Sequence, residues 1–231
     1  MHDDDLGDCT TKRLLDLKNE PIQLLSPIEG YGNHPLVSLE EAVKPIEHLV
    51  PELERWVYFA KHNSSQQLSS DSLTHDEQAA IHLYTMEWNE CSYTVLNRTL
   101  RPKDRRQLKP WFLYLKLILT VLFKLPSVFD VLYRGIKLDL SQEYVEGQIC
   151  TWYAFSSCTE SLKVLESEQS LGKTGTRTLF NIQCENGEII QKYSHYETEA
   201  EILLLPPTQF QVKSKLNPAP GLHIIHLKEV K

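Results

Sequence analysis

The residue pattern changes at Pro126, and this change limits the possible folds more than any other feature of the sequence. Residues 38–125 contain no glycine, and their apolar residues often recur three or four positions apart, as on one face of an α-helix. Short runs of β-branched and aromatic residues, separated by turn residues, follow Pro126. Helices followed by strands are typical of an α+β protein, so we predict a helical N-terminal half packed on a mostly antiparallel β-sheet.

Local signals refine this prediction in the first half. Residues 1–37 hold several Pro and Gly residues and predict an irregular N-terminal arm. Thr74 to Glu77 has the pattern of a capping box, in which a hydroxyl and a carboxylate three residues later satisfy the first N–H groups of a helix. The whole chain has 231 residues, which allows one large or two small domains at roughly 100–200 residues per domain.

The second half contains seven short runs that predict strands: 128–133, 149–155, 176–182, 188–192, 200–205, 210–215 and 222–230. The Asn186-Gly187 pair between two of these runs predicts a β-hairpin turn. One helix, from Thr159 to about residue 168, is expected to interrupt the strands, with Thr159 as its cap.

Charge and targeting signals exclude several classes of function. The chain has 24 basic and 31 acidic residues, a net charge of −7, which disfavours binding to nucleic acid or anionic membrane through bulk charge. No secretory signal is visible at the N-terminus, and the most apolar stretch, 111–125, is too short to span a membrane. Five cysteines with scattered spacing predict neither a disulfide framework nor a metal site. We expect a cytoplasmic protein that does not bind a membrane.

Arg134 and Gly135 end the first apolar run of the β-rich half. A guanidinium there can hold a phosphate by two hydrogen bonds, and a glycine lets a ligand approach the backbone closely. An ordinary surface charge at a strand end would look the same.

Hydroxyl groups cluster in Phe155-Ser156-Ser157-Cys158-Thr159, which we interpret as a strand end that runs into the predicted helix. A helix cap explains them most simply, and the absence of a Gly-x-Ser-x-Gly motif argues against a serine hydrolase. Cys158 as a thiol nucleophile stays open, because no histidine can be assigned to it from the sequence.

Three carboxylates alternate in Tyr196-Glu197-Thr198-Glu199-Ala200-Glu201, just before an apolar run. In an extended chain they point to the same side, where close like charges raise a carboxyl pKa. The alternative is a solvated strand edge that guards the apolar run against aggregation.

Taken together, these segments resemble the Arg-Ser-Glu class of mono-ADP-ribosyltransferases, and in particular its arginine-directed eukaryotic branch. The resemblance is carried by segments in a fixed order: Leu132-Tyr133-Arg134-Gly135, Trp152-Tyr153-Ala154-Phe155-Ser156-Ser157, Gly175-Thr176-Arg177-Thr178-Leu179-Phe180 and Glu199-Ala200-Glu201-Ile202-Leu203-Leu204. It spans roughly residues 38–231 and implies one catalytic domain there, with a helical part at 38–125 and a β-rich, NAD-binding part at 126–231. The family fold is a split, mostly antiparallel β-sheet core with helices packed on its N-terminal side.

The resemblance implies a role for each matching residue. Arg134 would contact the NAD+ phosphate, and the backbone at Gly135 would meet the nicotinamide amide. Ser157 would support the site and its catalytic glutamate. Glu201 would bond the nicotinamide-side ribose, Glu199 would act on the acceptor arginine, and Tyr196 would belong to the turn that recognises the acceptor.

The implied activity is that of an NAD(P)+–protein-arginine ADP-ribosyltransferase, with NAD+ as substrate, a protein arginine as acceptor and no metal. The family's Ser-Thr-Ser reads Ser157-Cys158-Thr159 here, and an aromatic found in some relatives falls near Ser170, where Leu171 can substitute in part. Two alternatives stay open: an NAD+ glycohydrolase that uses water as acceptor, and a non-catalytic NAD-binding module.

The remaining polar clusters carry no separate prediction of chemistry. Six basic residues are expected to form a solvated face or to help hold the adenosine diphosphate or an acidic partner: Arg98, Arg101, Lys103, Arg105, Arg106 and Lys109. His195 is expected to be a polar loop residue.

Overall fold

The structure is a computed structural model that describes residues 13, 16, 20–21, 23–64, 73–167 and 171–230. Within these residues the first half is helical and the second half forms a nine-stranded, mostly antiparallel sheet, so the α+β prediction is confirmed. Ser170 lies outside the described residues.

Six α-helices are described, and all but the last precede the sheet: α1 (Leu39–Val43), α2 (Leu53–Ser64), α3 (His75–Thr85), α4 (Ser92–Leu100), α5 (Phe112–Leu122) and α6 (Leu162–Leu165). Short 3-10 helices link or follow them: Tyr31–Asn33, Lys44–Ile46, Arg105–Trp111, Gln191–Tyr193 and Glu197–Glu199. The predicted capping box starts α3, since Thr74 and Glu77 each accept a hydrogen bond from the other's backbone N–H.

The strands follow along the chain as β1 (Ser127–Val128), β2 (Val131–Ile136), β3 (Ile149–Trp152), β4 (Ser156–Thr159), β5 (Arg177–Gln183), β6 (Gly187–Ile189), β7 (Glu201–Leu204), β8 (Thr208–Ala219) and β9 (Leu222–Val230). In space their order is β1-β6-β7-β4-β2-β5-β9-β8-β3. Every pairing is antiparallel except that of β5 with β9.

The sheet is nearly divided at its centre. Strands β2 and β4 pair only at Tyr133 and Thr159, whereas β2 pairs with β5 over its whole length. Four strands therefore lie on one side of this junction and five on the other. The backbone hydrogen-bond ladder of the sheet is therefore almost interrupted at this junction.

The Asn186-Gly187 pair does not form the predicted hairpin. Strand β6 pairs with β1 and β7, and not with β5. The Glu229 carboxylate accepts the backbone N–H of Asn186, and a Cβ at Gly187 would lie 2.7 Å from Cγ2 of Ile202. The glycine thus allows a close approach between strands, a requirement that the local sequence does not show.

Two other predictions need correction. Ser156–Thr159 is a buried strand, β4, rather than a cluster that caps a helix. The helix predicted from Thr159 is only Leu162–Leu165, because Thr159 lies in the sheet and its Oγ1 accepts the backbone N–H of Ser161.

Two large hydrophobic clusters hold the fold together, and a third, small one contains Leu165 and Leu171. Leu203 packs in the larger cluster, with the helices, while its neighbours Ile202 and Leu204 pack in the second. This alternation follows from the period of two in a strand, and it places both clusters against β7. None of the helices in the described part of the chain is long and apolar enough to cross a membrane.

Phe180 fixes the second cluster, and its removal tests the sheet packing. Its ring lies edge-on to Tyr144 and Trp152, with centroids 4.9 Å and 5.3 Å away. We predict that Phe180→Ala lowers the free energy of unfolding by about 3–5 kcal/mol, because it leaves a cavity in the core. Urea denaturation followed by circular dichroism measures this loss.

Phe129→Ala is the matched control, because the Phe129 side chain is 70% exposed. A change within about 0.5 kcal/mol is expected for this surface substitution. Equal losses for the two variants would contradict the packing described for Phe180.

Candidate active site

Three of the predicted site residues meet at the central junction of the sheet. Arg134 lies in β2, Ser157 in β4, and Glu201 is the first residue of β7. Strands β4 and β7 pair with Thr159 opposite Glu201, which brings that carboxylate to the end of β4 nearest β2. All three predicted residues are buried.

Arg134 is held from both sides. Its Nη1 donates to the backbone carbonyl of Ser157, and its Nη2 donates to the backbone carbonyl of Asp16 at 2.6 Å. The guanidinium carbon also lies 5.9 Å from the ring centroid of Trp152. Among the residues that the structure describes, no group accepts the remaining Nε–H. Because Arg134 is fully buried, an anionic ligand reaches this guanidinium only after the surrounding chain moves.

A tight turn orders the glutamates, and it corrects the prediction of an extended segment. Glu197–Glu199 is a 3-10 helix, and Ala200 follows in the left-handed conformation with φ 46°. The chain extends only from Glu201 onward. As a result Glu199 and Glu201 are buried together, while Glu197 is exposed.

Two hydroxyl groups secure this turn. Ser194 donates from Oγ to Oε2 of Glu201 at 3.1 Å, and Thr159 donates from Oγ1 to the backbone carbonyl of Glu199 at 3.2 Å. Ser194 was not among the predicted site residues, and the residues around it in the sequence give no signal for this role. The supporting role predicted for Ser157 stays a prediction; the bond described above uses its backbone carbonyl.

The centre of the site is a guanidinium that the sequence analysis did not single out, that of Arg13. Its Nε and Nη2 bind both oxygens of Glu201, each at 3.2 Å, and Nη2 also donates to Oε2 of Glu199 at 3.0 Å. Its Nη1 donates to Oε1 of Glu87 at 3.2 Å and to the backbone carbonyl of Thr85. A guanidinium has five N–H donors, and here each has an acceptor. We call these acceptors, on Glu87, Glu199, Glu201 and Thr85, the guanidinium cage.

Aromatic rings complete the surroundings of this cation. The Arg13 guanidinium carbon lies 5.0 Å from the ring centroid of Tyr196 and 5.9 Å from that of Tyr93. Both distances fall within the range in which a cation is attracted to a ring face. Tyr196 thus lies beside the cage, where the sequence analysis expected an acceptor-binding turn.

Three carboxylates around one cation leave an excess of negative charge. The pKa of Glu199 is raised to about 8; burial is the main cause, the charge of Arg13 opposes it, and the charges of Glu201 and Glu87 add to it. Burial lowers the pKa of Arg13, but the charges of Glu201 and Glu199 outweigh this and raise it above its ordinary value. Glu199 is therefore able to gain or lose a proton near neutral pH.

Gly135 lies under Leu171. A Cβ built on Gly135 would come within 2.8 Å of Cβ of Leu171, so any larger residue must displace that side chain. Leu171 consequently covers the backbone at which the resemblance places nicotinamide.

Other residues of the predicted clusters take structural positions. Cys158 is fully buried, and burial raises its pKa to about 12, so its thiol is a poor nucleophile. In the basic cluster, Arg106 pairs with Asp104 at the surface at 2.8 Å. Arg101, in contrast, is largely buried and pairs with Glu20 at 2.6 Å.

The two histidines near the turn form a pair. His195 contributes Nδ1, which lies 3.2 Å from Nε2 of His82. The pKa of His82 is lowered to about 4, mainly by burial and in smaller part by the charge of His195. In the described ranges, no group of three or more His, Cys, Asp or Glu side chains is arranged to hold a metal ion.

Comparison with known proteins identifies related sequences and folds. Residues 41–231 match the family model described as NAD:arginine ADP-ribosyltransferase. No curated protein matches the chain by sequence.

Several solved structures share the fold. The eucaryotic mono-ADP-ribosyltransferase ART2.2 is 21% identical, with a TM-score of 0.59, over 84% of this chain and 83% of that one. The ADP-ribosyltransferase Vis in complex with agmatine is 22% identical, with a TM-score of 0.56, over 87% and 90%; Vis is a toxin from Vibrio splendidus. HopU1 of Pseudomonas syringae pv. Tomato is 18% identical, with a TM-score of 0.56, over 86% and 90%.

The raised pKa of Glu199 predicts a pH-dependent stability. Because that pKa is about 8 in the folded chain, against an ordinary 4.5, the folded state binds an extra proton between these values. The stability gained from this proton is complete below pH 4.5 and is lost as the pH rises through 8. The loss is up to about 1 kcal/mol per pH unit. Glu199→Gln removes the titrating carboxyl group. The free energy of unfolding, measured by urea denaturation at several pH values, should therefore fall less steeply with pH in this variant than in wild type.

Glu197→Gln serves as the control, because Glu197 belongs to the same turn but is exposed. The free energy of unfolding of this control should fall with pH as steeply as that of wild type. The same slope for wild type and Glu199→Gln would contradict a proton held on Glu199.

Proposed function

The chain belongs to the NAD:arginine ADP-ribosyltransferase family, and on this premise we propose that it transfers ADP-ribose from NAD+ to arginine side chains of target proteins. Nicotinamide is the leaving group. Residues 38–231 act in this proposal as one catalytic unit, in which the helical part buttresses the β-rich part.

The observation that carries the proposal is the guanidinium cage. Every N–H donor of one guanidinium finds an acceptor there, and three of the four acceptor groups are carboxylates. Lysine has three donors and lacks the planar fork, so the cage favours arginine over the other common cation. Agmatine, bound by Vis in its solved complex, carries the same guanidinium.

NAD+ would lie across the junction of the sheet. Arg134 provides a cation for its phosphates, which a protein with a net charge of −7 needs in order to hold an anionic substrate. The backbone at Gly135 would meet the nicotinamide amide once the Leu171 side chain, which lies against it, has moved. Ser157 keeps Arg134 in place through its backbone carbonyl.

Glu201 is assigned to cleavage of the bond between nicotinamide and ribose. The electron pair of this bond leaves with nicotinamide and neutralises its pyridinium nitrogen, so positive charge develops on the ribose ring. A fixed carboxylate at that ring stabilises the developing charge, and this effect acts mainly in the transition state. Ser194 orients the Glu201 carboxylate by the hydrogen bond already described.

Glu199 is assigned to activation of the acceptor. An arginine guanidinium is cationic and becomes nucleophilic only as it loses a proton. The carboxylate of Glu199 holds one terminal nitrogen in the cage, at 3.0 Å for Arg13. As this nitrogen bonds to the anomeric carbon of ribose, its proton passes to Glu199, whose pKa of about 8 suits a general base.

Single carboxylate-to-amide substitutions separate the two assignments. We predict that Glu201→Gln loses both label transfer from NAD+ to agmatine and nicotinamide release, since both need bond cleavage. Glu199→Gln should lose transfer by a factor on the order of 100 or more, while it retains nicotinamide release to water. Radiolabelled NAD+ with agmatine, and nicotinamide quantified by chromatography, measure both.

Full activity in Glu201→Gln would contradict the site assignment. Nicotinamide release without any transfer in wild type would favour the glycohydrolase alternative. An absence of both reactions in wild type would favour a non-catalytic module.

The pH profile of transfer should reflect the Glu199 carboxyl. A general base works only when ionised, so the rate at saturating agmatine should rise with pH until it levels off above about 8, the pKa of Glu199. Initial rates between pH 6 and 10 test this. A rate that falls as the pH rises through 8 would contradict the role of base.

A further inference from the structure

The guanidinium cage is filled by the chain itself. Arg13 is 2% exposed, and its partners in the cage lie 72 to 188 positions away along the sequence. Its two bonds to Glu201 occupy both oxygens of the carboxylate that the proposed mechanism assigns to the ribose. An acceptor arginine and the ribose of NAD+ would both need the space that Arg13 takes.

Asp16, three residues later, covers the other half of the site. Its backbone carbonyl binds Arg134, and its carboxylate accepts the Asn97 side-chain N–H at 3.0 Å. Arg134 is fully buried and its Nη2 is bonded to Asp16, so a phosphate can bind at this Nη2 only after Asp16 moves.

Glu20 anchors the same arm outside the proposed reaction centre. Its carboxylate accepts from Arg101 Nε at 2.6 Å and from the backbone N–H of Tyr153 at 2.7 Å. Charged groups of the arm thus meet opposite charges on the catalytic domain at two places, the cage and Arg101.

We propose that Arg13 is an internal competitor of both substrates, held in the acceptor site by the cage, and that Glu87 is a further acceptor-binding residue. This inference rests on the proposed function and deepens it. An incoming arginine replaces one guanidinium by another, so the three buried carboxylates keep a cation throughout the exchange. Loss of the cation without replacement would leave buried charges unpaired, which is strongly unfavourable.

Agmatine binding without NAD+ tests the cage independently of catalysis. Isothermal titration calorimetry should show agmatine binding at least ten times more tightly to Arg13→Ala than to wild type. Arg55→Ala is the control, because Arg55 pairs with Glu52 at the surface, and its affinity should equal that of wild type. Equal affinities for wild type and Arg13→Ala would overturn the inference.

Glu87 is tested in the Arg13→Ala background. Glu87→Gln should weaken agmatine binding about tenfold, the loss expected when a hydrogen bond to a charged group is reduced. An unchanged affinity would remove Glu87 from the acceptor site. Agmatine should also raise the Tm of Arg13→Ala more than that of wild type, so the cage can be assayed even if this variant is less stable.

Kinetics test the competition itself. With the other substrate held well below its KM, a competitor that closes the site in a fraction of molecules raises the apparent KM of each substrate by one factor and leaves the rate at saturation unchanged. Arg13→Ala should lower the KM for NAD+ and for agmatine by the same factor. Glu20→Ala, which loosens the arm but keeps every cage residue, should lower both by a smaller factor.

The outcomes separate this inference from the proposed function. Transfer with both KM values unchanged in Arg13→Ala would overturn the competitor and keep the transferase. Agmatine binding as expected, with no transfer by any variant, would keep the cage and overturn the transferase.

Discussion

The site depends on the ion cluster at the central junction of the sheet. Glu87, Glu199 and Glu201 are brought within hydrogen-bond distance of one guanidinium and are almost completely removed from solvent. Buried carboxylates need a cation, a proton or hydrogen-bond donors, because burial without a partner costs several kcal/mol per ion. The chain supplies a guanidinium from Arg13 and donors from its hydroxyls, and it retains a proton on Glu199 near neutral pH. In the proposed function, an arginine of a target protein would meet the same need for a cation.

The fold explains why this cluster lies at a split in the sheet. If β2 and β4 paired along their whole length, their backbones would lie side by side throughout. In this sheet they meet at a single residue pair. The sparse pairing leaves space for Arg134 on one side and for Glu199 and Glu201 on the other. Two residues shape the backbone near this junction. Ala200 makes a left-handed turn, and Gly187 allows β6 to lie close to β7. The larger hydrophobic cluster then fixes β7 against the helices through Leu203.

Much of this arrangement could be predicted from local patterns. The missing glycines and the capping box of α3 revealed the helices, and the order of Arg134, Ser157 and Glu201 revealed the family. Predictions were wrong where the local sequence pattern favours one structure and long-range packing favours another. The hydroxyls of Ser156–Thr159 resemble a helix cap but pair as a buried strand, and Asn186-Gly187 resembles a hairpin but serves a contact with Ile202.

Arg13 and Glu87 could not be found in this way. Arg13 lies 186 positions from Glu199, in a segment with loop signals, and the pattern of a sequence does not show which distant charges meet. The five-donor match is a property of three-dimensional geometry. Glu87 has no motif of its own and is recognised only through the cation that it holds.

In the proposed function, the cage presents an arginine to the anomeric carbon of NAD+. The most direct measurement is the site of the new bond in a peptide that contains one arginine, one lysine and one cysteine. After incubation with the wild-type chain and NAD+, tandem mass spectrometry should find ADP-ribose on the arginine side chain alone. ADP-ribose on the lysine or the cysteine, or free ADP-ribose as the only product, would contradict the account.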